Sequence, residues 1–158
     1  MRALILFAAL ITSASPFARQ TPSPIDLPPG THELLLEAEG EGVQIYTCTD
    51  SKWTLKAPDA KLLDPHRTVI GTHFAGPTWK LNDGSEVKGK AIAKQASPEA
   101  GSVAWLLVEA VPGSGSGKFA DVTYIRRTET HGGAAPKESC TTGESRQPYT
   151  ATYSFYSK

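Results

Sequence analysis

The chain has 158 residues, carries 16 basic and 16 acidic groups, and contains two cysteines. This neutral balance argues against strong electrostatic capture of nucleic acid or of an anionic membrane surface. Domains usually hold about 100 to 200 residues, so the length predicts a single domain.

The N-terminal residues follow the order of a secretory signal peptide. Arg2 precedes an apolar run from Ala3 to Ile11, and small residues follow that run. The run is too short to span a bilayer as a helix, and a buried N-terminal helix is the alternative interpretation. We predict a signal peptide over residues 1–18, cleaved near residues 14–18. The protein is then secreted or periplasmic, with no stable membrane anchor.

The next segment is rich in proline, with four prolines between Pro22 and Pro29. Proline fixes its own backbone torsion and lacks an N–H donor, so residues 19–30 are predicted to form an extended linker. A single β-domain over residues 31–158 follows. Its first segment, "HELLLEAEG", is the best helix candidate in the chain, although it is short and runs into Gly40 and Gly42.

Six further segments read as strands. In "YTATYSFY", one face carries Tyr149, Ala151, Tyr153 and Phe155, which is the period of two typical of a strand. The apolar run from Val103 to Val111 lacks alternation, which indicates a central strand covered on both faces. The fold is predicted to be all-β: a single antiparallel β-sandwich or barrel, with few or no helices after the signal peptide. The other strand segments are "VQIYTC", "TVIGTHF", "EVKGKAIAK" and "DVTYIRRTE".

The stretch "HFAGPTWKLNDGS" is predicted to be a corner followed by a hairpin. Gly76-Pro77 supplies one turn, and Asn82 to Gly84 tolerate the positive φ values that a tight hairpin turn requires. Asp83 is therefore interpreted as a turn residue before it is considered a catalytic carboxylate.

The two cysteines, Cys48 and Cys140, have no partner at the spacing of a metal-binding CxxC pair. In an exported protein they are predicted to form a disulfide, with two free thiols as the alternative. The bond would close a loop of about 90 residues, for which loop-closure entropy contributes roughly 4 to 5 kcal/mol.

Several motifs occur in a characteristic order: "GVQIYTC", "GTHFAGPTWKLNDGSEVKG", "VAWLLVEAV", "DVTYIRRTETHGGAAP" and "YTATYSFY". The combination of "HFAGPTW" with "THGGAAP" is specific, and together these motifs resemble the family known as domain of unknown function 3455. The resemblance extends from about Gly42 to Tyr156 and implies an exported protein without an established activity. Some members carry the label malate dehydrogenase, but this sequence lacks the strand-GxGxxG-helix unit that holds a dinucleotide.

Five residues are candidates for ligand binding, and no catalytic residue, metal site or cofactor is predicted. Two arginines lead into the "THGGAAP" loop, and one of the two must face inward because neighbouring residues in a strand point to opposite faces. His73 is interpreted first as a histidine bonded to a backbone carbonyl inside the sheet, and second as a ligand contact. His73 and Trp79 are expected to reach a cleft shared with "THGGAAP". The candidates are His73, Trp79, Asp83, Arg126 and His131.

Three functions from different classes remain open. The leading hypothesis is a binding module for an unknown small molecule, a saccharide or an envelope protein. The second is a metal- or histidine-dependent hydrolase or lyase built from His73, Asp83 and His131. The third is a structural or stress-related envelope protein.

Overall fold

The structure is a computed structural model and describes residues 21–158. Eight antiparallel strands, each paired with its neighbours in the sequence, close into a barrel because β8 pairs with β1. The all-β prediction is confirmed, and the architecture is the barrel. The strands are β1 (Glu33–Thr49), β2 (Lys52–Leu63), β3 (Val69–Phe74), β4 (Thr78–Leu81), β5 (Glu86–Gln95), β6 (Trp105–Ala110), β7 (Tyr124–Gly132) and β8 (Glu144–Ser157).

One prediction is wrong: "HELLLEAEG" is not a helix but the first half of β1. The segment pairs with β8 from Glu33 onward, and at its C-terminal end the register also pairs Gly40 with Leu62 of β2. The glycine fits this place for a physical reason. A Cβ at Gly40 would lie 2.4 Å from the ring of Tyr153, so the close approach of β8 requires a residue without a side chain.

The predicted corner and hairpin are both present. Gly76 and Gly84 have φ values of 117° and 90°, within the turns that precede and follow β4. The amide of Gly84 donates to the carbonyl of Leu81 at 3.0 Å. These turns lie at opposite ends of the barrel, since β4 runs from one to the other.

Apolar side chains fill the half of the barrel nearer the β4–β5 turn. A short 3₁₀ helix, Gly117–Phe119, lies across this end and inserts Phe119, whose ring stacks on Phe155 with centroids 4.6 Å apart. Burying each such side chain contributes about 1.5–3 kcal/mol to the free energy of folding. We call this half the closed end; its core includes Leu62, Leu81, Val87, Phe119, Val122, Ile125 and Phe155.

The outer face of β6 is covered by the segment predicted as a linker. Ile25 is 1 % exposed and packs against Leu107 and Tyr124. On the inner face of the same strand, Val108 belongs to the barrel core. The prediction of a strand covered on both faces is therefore confirmed for β6.

The predicted disulfide is present between Cys48, near the end of β1, and Cys140, in the β7–β8 connection. Its S–S distance is 2.07 Å, and no cysteine within residues 21–158 is free. The predicted signal peptide and its cleavage site, by contrast, lie outside the described residues. Between residues 21 and 158, no helix is both long and apolar enough to cross a membrane.

Candidate functional site

The barrel is filled at one end and open at the other. A layer of three aromatic side chains, His73, Trp79 and Tyr153, lies above the closed end. The rings of His73 and Trp79 stack with centroids 4.4 Å apart, and Tyr153 lies 5.0 Å from the histidine ring. We call this layer the aromatic floor, because a pocket extends from it toward the end that carries the β3–β4 turn.

The pocket has a volume of about 290 Å³. Alternate residues of a strand face the barrel interior, so all eight strands and the β3–β4 turn contribute side chains to the pocket. Polar groups are few and lie on separate strands, among them Gln44 on β1, His73 on β3 and Arg127 on β7. The apolar wall consists of Leu55, Ala57, Pro58, Ala75, Pro77, Ala91, Leu106 and Val108.

His73 is 3 % exposed, and its Nδ1 lies 2.9 Å from the carbonyl oxygen of Thr78. Since a carbonyl accepts, Nδ1 carries the proton and donates. Burial lowers the pKa of His73 from 6.5 to about 4, the bond to Thr78 opposes this change, and the nearby charge of Arg127 adds to it. His73 is therefore a neutral imidazole that packs on Trp79 and lines the pocket.

Trp79 occupies the centre of the aromatic floor. It is 2 % exposed, and besides the stack with His73 it makes edge contacts with Tyr153 and Phe155 at centroid distances of 5.7 and 6.0 Å. Trp79 thus belongs to the core on one side and to the pocket on the other.

Asp83 lies in the β4–β5 turn at the closed end, away from the pocket. Its carboxylate accepts from the backbone N–H of Ser85 at 2.9 Å and pairs with Lys118 at 3.1 Å. Hydrogen bonds from Ser85 and then from Lys118 lower the pKa of Asp83 to about 2. These contacts are those of a turn residue that also tethers the 3₁₀ helix.

His131 is exposed on the outer surface of β7. Its Nδ1 lies 2.5 Å from the Glu99 carboxylate, and Ser102 also donates to Glu99 at 3.1 Å. The pocket wall includes no residue of "THGGAAP", so the structure does not bring His131 to His73. The three residues proposed for a hydrolase or lyase occupy three separate places.

Of the two neighbouring arginines, Arg127 faces inward and Arg126 faces outward. Arg127 lines the pocket, and both its Nε and its Nη2 donate to the carbonyl of Ala104, at 3.0 and 2.7 Å. This bond to a carbonyl is the kind of partner that an inward arginine needs. Arg126, the residue chosen from the sequence, pairs in register with Leu107 and Ser154 instead.

The pocket residues that the sequence did not indicate include Gln44, Arg127 and Tyr153. The period of two was a usable signal for two of them, because Gln44 alternates with Tyr46 and Tyr153 alternates with Phe155. For the arginine pair, the alternation predicts one inward residue without indicating which. Among residues 21–158 no group of three or more His, Cys, Asp or Glu side chains is placed to hold a metal ion.

Fold and pocket together define a small up-and-down β-barrel, closed at one end and open to an interior cavity at the other. A family model described as a protein of unknown function, DUF3455, matches residues 28–157. The chain belongs to this family. No curated protein and no solved structure matches it.

Proposed function

We propose that this protein binds one small, mainly apolar molecule inside the barrel. The observation that carries the proposal is the pocket of about 290 Å³ between the aromatic floor and the open end. An eight-stranded barrel is just wide enough for side chains to fill or for one small ligand to occupy. Here side chains fill one half and leave the other half open.

The size and chemistry of the pocket indicate the kind of ligand. A cavity of about 150 Å³ with apolar walls holds one benzene, so a pocket twice that size suits two fused rings or a short branched chain. Apolar walls with a few polar groups on separate strands are the usual composition of a small-molecule site. Of the predicted partners, a small molecule suits such an enclosed space better than a polysaccharide or a folded protein.

Binding is tested by isothermal titration calorimetry with 2-methylnaphthalene, a neutral two-ring hydrocarbon. Ala91 lies on the pocket wall, and Ala91→Phe places a ring in the pocket. Ala96 is exposed, follows β5 and lies outside the pocket, so Ala96→Phe is the matched control. We expect binding by the wild type and by Ala96→Phe, and affinity at least about tenfold lower in Ala91→Phe, since tenfold corresponds to only 1.4 kcal/mol.

Absence of heat in the wild type, or equal affinity in the two alanine variants, would refute binding in this pocket. Thermal unfolding of each variant shows whether it is folded at the titration temperature. A variant that does not fold is replaced by Leu106→Trp, which narrows the pocket from the neighbouring strand β6.

We also propose that the protein acts after export, as a secreted or periplasmic protein. The Cys48–Cys140 disulfide supports this, because such bonds persist in oxidising compartments and are rare in reducing ones. Mass spectrometry of the protein from a secreting host tests the proposal. A mature N-terminus between residues 15 and 19 is expected, and an intact Met1 would contradict it.

A further inference from the structure

The pocket holds positive charge without a matching negative charge. Its lining includes two cationic residues, Lys56 and Arg127, and neither aspartate nor glutamate. Lys56 pairs with Glu144 on the outer surface and is exposed. The charge that faces the interior is therefore that of Arg127.

Arg127 makes only neutral contacts. The Ala104 carbonyl accepts from Nε and Nη2, and no carboxylate within residues 21–158 forms an ion pair with this guanidinium. A guanidinium has five N–H donors, and besides the Ala104 carbonyl its side-chain partner is the Tyr153 hydroxyl, so donors are left for a ligand. Charges taken out of water are normally paired with an opposite charge, and a half-buried arginine that contacts only a carbonyl and a hydroxyl departs from that rule.

The field of Arg127 reaches the polar groups around it. Burial raises the pKa of Tyr46, Tyr149 and Tyr153, and the positive charge of Arg127 opposes that rise in each. The same charge lowers the pKa of His73, which stays neutral. None of these groups supplies a negative charge, so the electrostatic potential at the floor of the pocket is positive.

Two further polar side chains, Gln44 and Trp79, line the pocket and are 1 % and 2 % exposed. The side chain of Gln44 contacts the Tyr149 hydroxyl, and this hydrogen bond opposes the rise that burial causes in the pKa of Tyr149. Neither Gln44 nor Trp79 carries a charge, so neither offsets the charge of Arg127.

We infer that the ligand carries one carboxylate on an apolar body, and that this carboxylate binds Arg127 above the aromatic floor. The inference rests on the proposed function and names its ligand class. A planar carboxylate matches the planar guanidinium and accepts two parallel N–H bonds. A single negative charge balances the single charge of Arg127, whereas a phosphate dianion would bring a second, unbalanced charge into the barrel. The apolar body occupies the pocket and packs against its apolar wall.

The test compares two molecules of nearly the same shape, 2-naphthoate and 2-naphthamide, by calorimetry on the disulfide-bonded protein at neutral pH. Hydrogen bonds to charged groups contribute about 1.5–3 kcal/mol, so we expect naphthoate to bind about 10- to 100-fold more tightly than the amide. Arg127→Leu should abolish this preference. Arg126→Leu changes the neighbouring arginine on the outer face and should retain it.

The outcomes separate this inference from the proposed function. Equal affinity of the wild type for both compounds, with binding weakened in Ala91→Phe, would overturn the inference of a carboxylate. The proposal that a ligand binds in the pocket would stand. Failure of every two-ring compound to bind would overturn both. A preference that survives in Arg127→Leu would overturn the assignment to Arg127.

Arg127→Lys is made in parallel in case Arg127→Leu does not fold. Lysine retains the charge but cannot form the two-pronged contact, so naphthoate should bind more weakly than to the wild type while the amide is unaffected. Unchanged binding of naphthoate by Arg127→Lys would contradict the proposed contact.

Discussion

Acid should destabilise this protein through His73. Its imidazole is buried, neutral and bonded through Nδ1 to the Thr78 carbonyl, and its pKa in the folded protein is about 4 against 6.5 for an exposed imidazole. In the unfolded chain the ring accepts a proton near pH 6.5, whereas in the barrel burial and the charge of Arg127 oppose protonation. The contribution of the neutral His73 to the free energy of unfolding is therefore fully present above pH 6.5 and is lost as the pH falls toward 4.

The size of the effect follows from the difference between the two pKa values. At about 1.4 kcal/mol per pKa unit, the difference corresponds to a loss of about 3 kcal/mol between pH 7 and pH 4. Urea unfolding at both pH values measures it in the wild type and in His73→Asn. The variant loses the stack on Trp79 and is less stable at pH 7, but its deficit should shrink by about 3 kcal/mol at pH 4.

The carboxylates titrate in both proteins, so their effect on the free energy of unfolding cancels in the comparison. His66, exposed in the β2–β3 turn, provides the matched control His66→Asn. A deficit of His73→Asn that is equal at pH 7 and pH 4, or that grows in acid, would refute a buried neutral imidazole.

Three other predictions concern stability. Replacing Cys48 and Cys140 by serine removes a link between residues 92 apart in the sequence. This should lower the free energy of unfolding, measured by chemical denaturation, by about 2–5 kcal/mol. An unchanged denaturation midpoint would show that the bond does not constrain the chain. Trp79→Ala should lower the free energy of unfolding by about 3–5 kcal/mol, because it removes a fully buried ring. Near-wild-type urea unfolding would place Trp79 outside the core. Gly40→Ala should cost about 1–3 kcal/mol by thermal unfolding, since its methyl group would overlap the Tyr153 ring, and equal stability would mean that β8 can move away.

Local patterns in the sequence determined most of the secondary structure. The alternation in "YTATYSFY" predicts β8 because side chains of a strand alternate between two faces regardless of what the strand pairs with. The hairpin around Asn82 to Gly84 follows from turn conformation, which is also local. Two cysteines leave one possible intramolecular pairing. These predictions needed no knowledge of distant contacts.

Contacts between distant residues decided the rest. "HELLLEAEG" is too short for its period to distinguish helix from strand, and it becomes a strand because it pairs along its length with β8. Sandwich and barrel have the same strand patterns, and only the pairing of β1 with β8 closes the sheet.

The site depended on tertiary structure most strongly. Local alternation cannot show which of two adjacent arginines faces the interior. A bulge in β7 between Thr128 and His131 also changes the register of the residues that follow the arginines. Asp83 and His131 are as polar in the sequence as Gln44, yet the barrel places them at its closed end and on its outer surface. The pocket itself is a volume that side chains from all eight strands leave unfilled. Since no single segment contains that volume, the sequence determined the strands that enclose the pocket, and only their closure into a barrel determined the pocket.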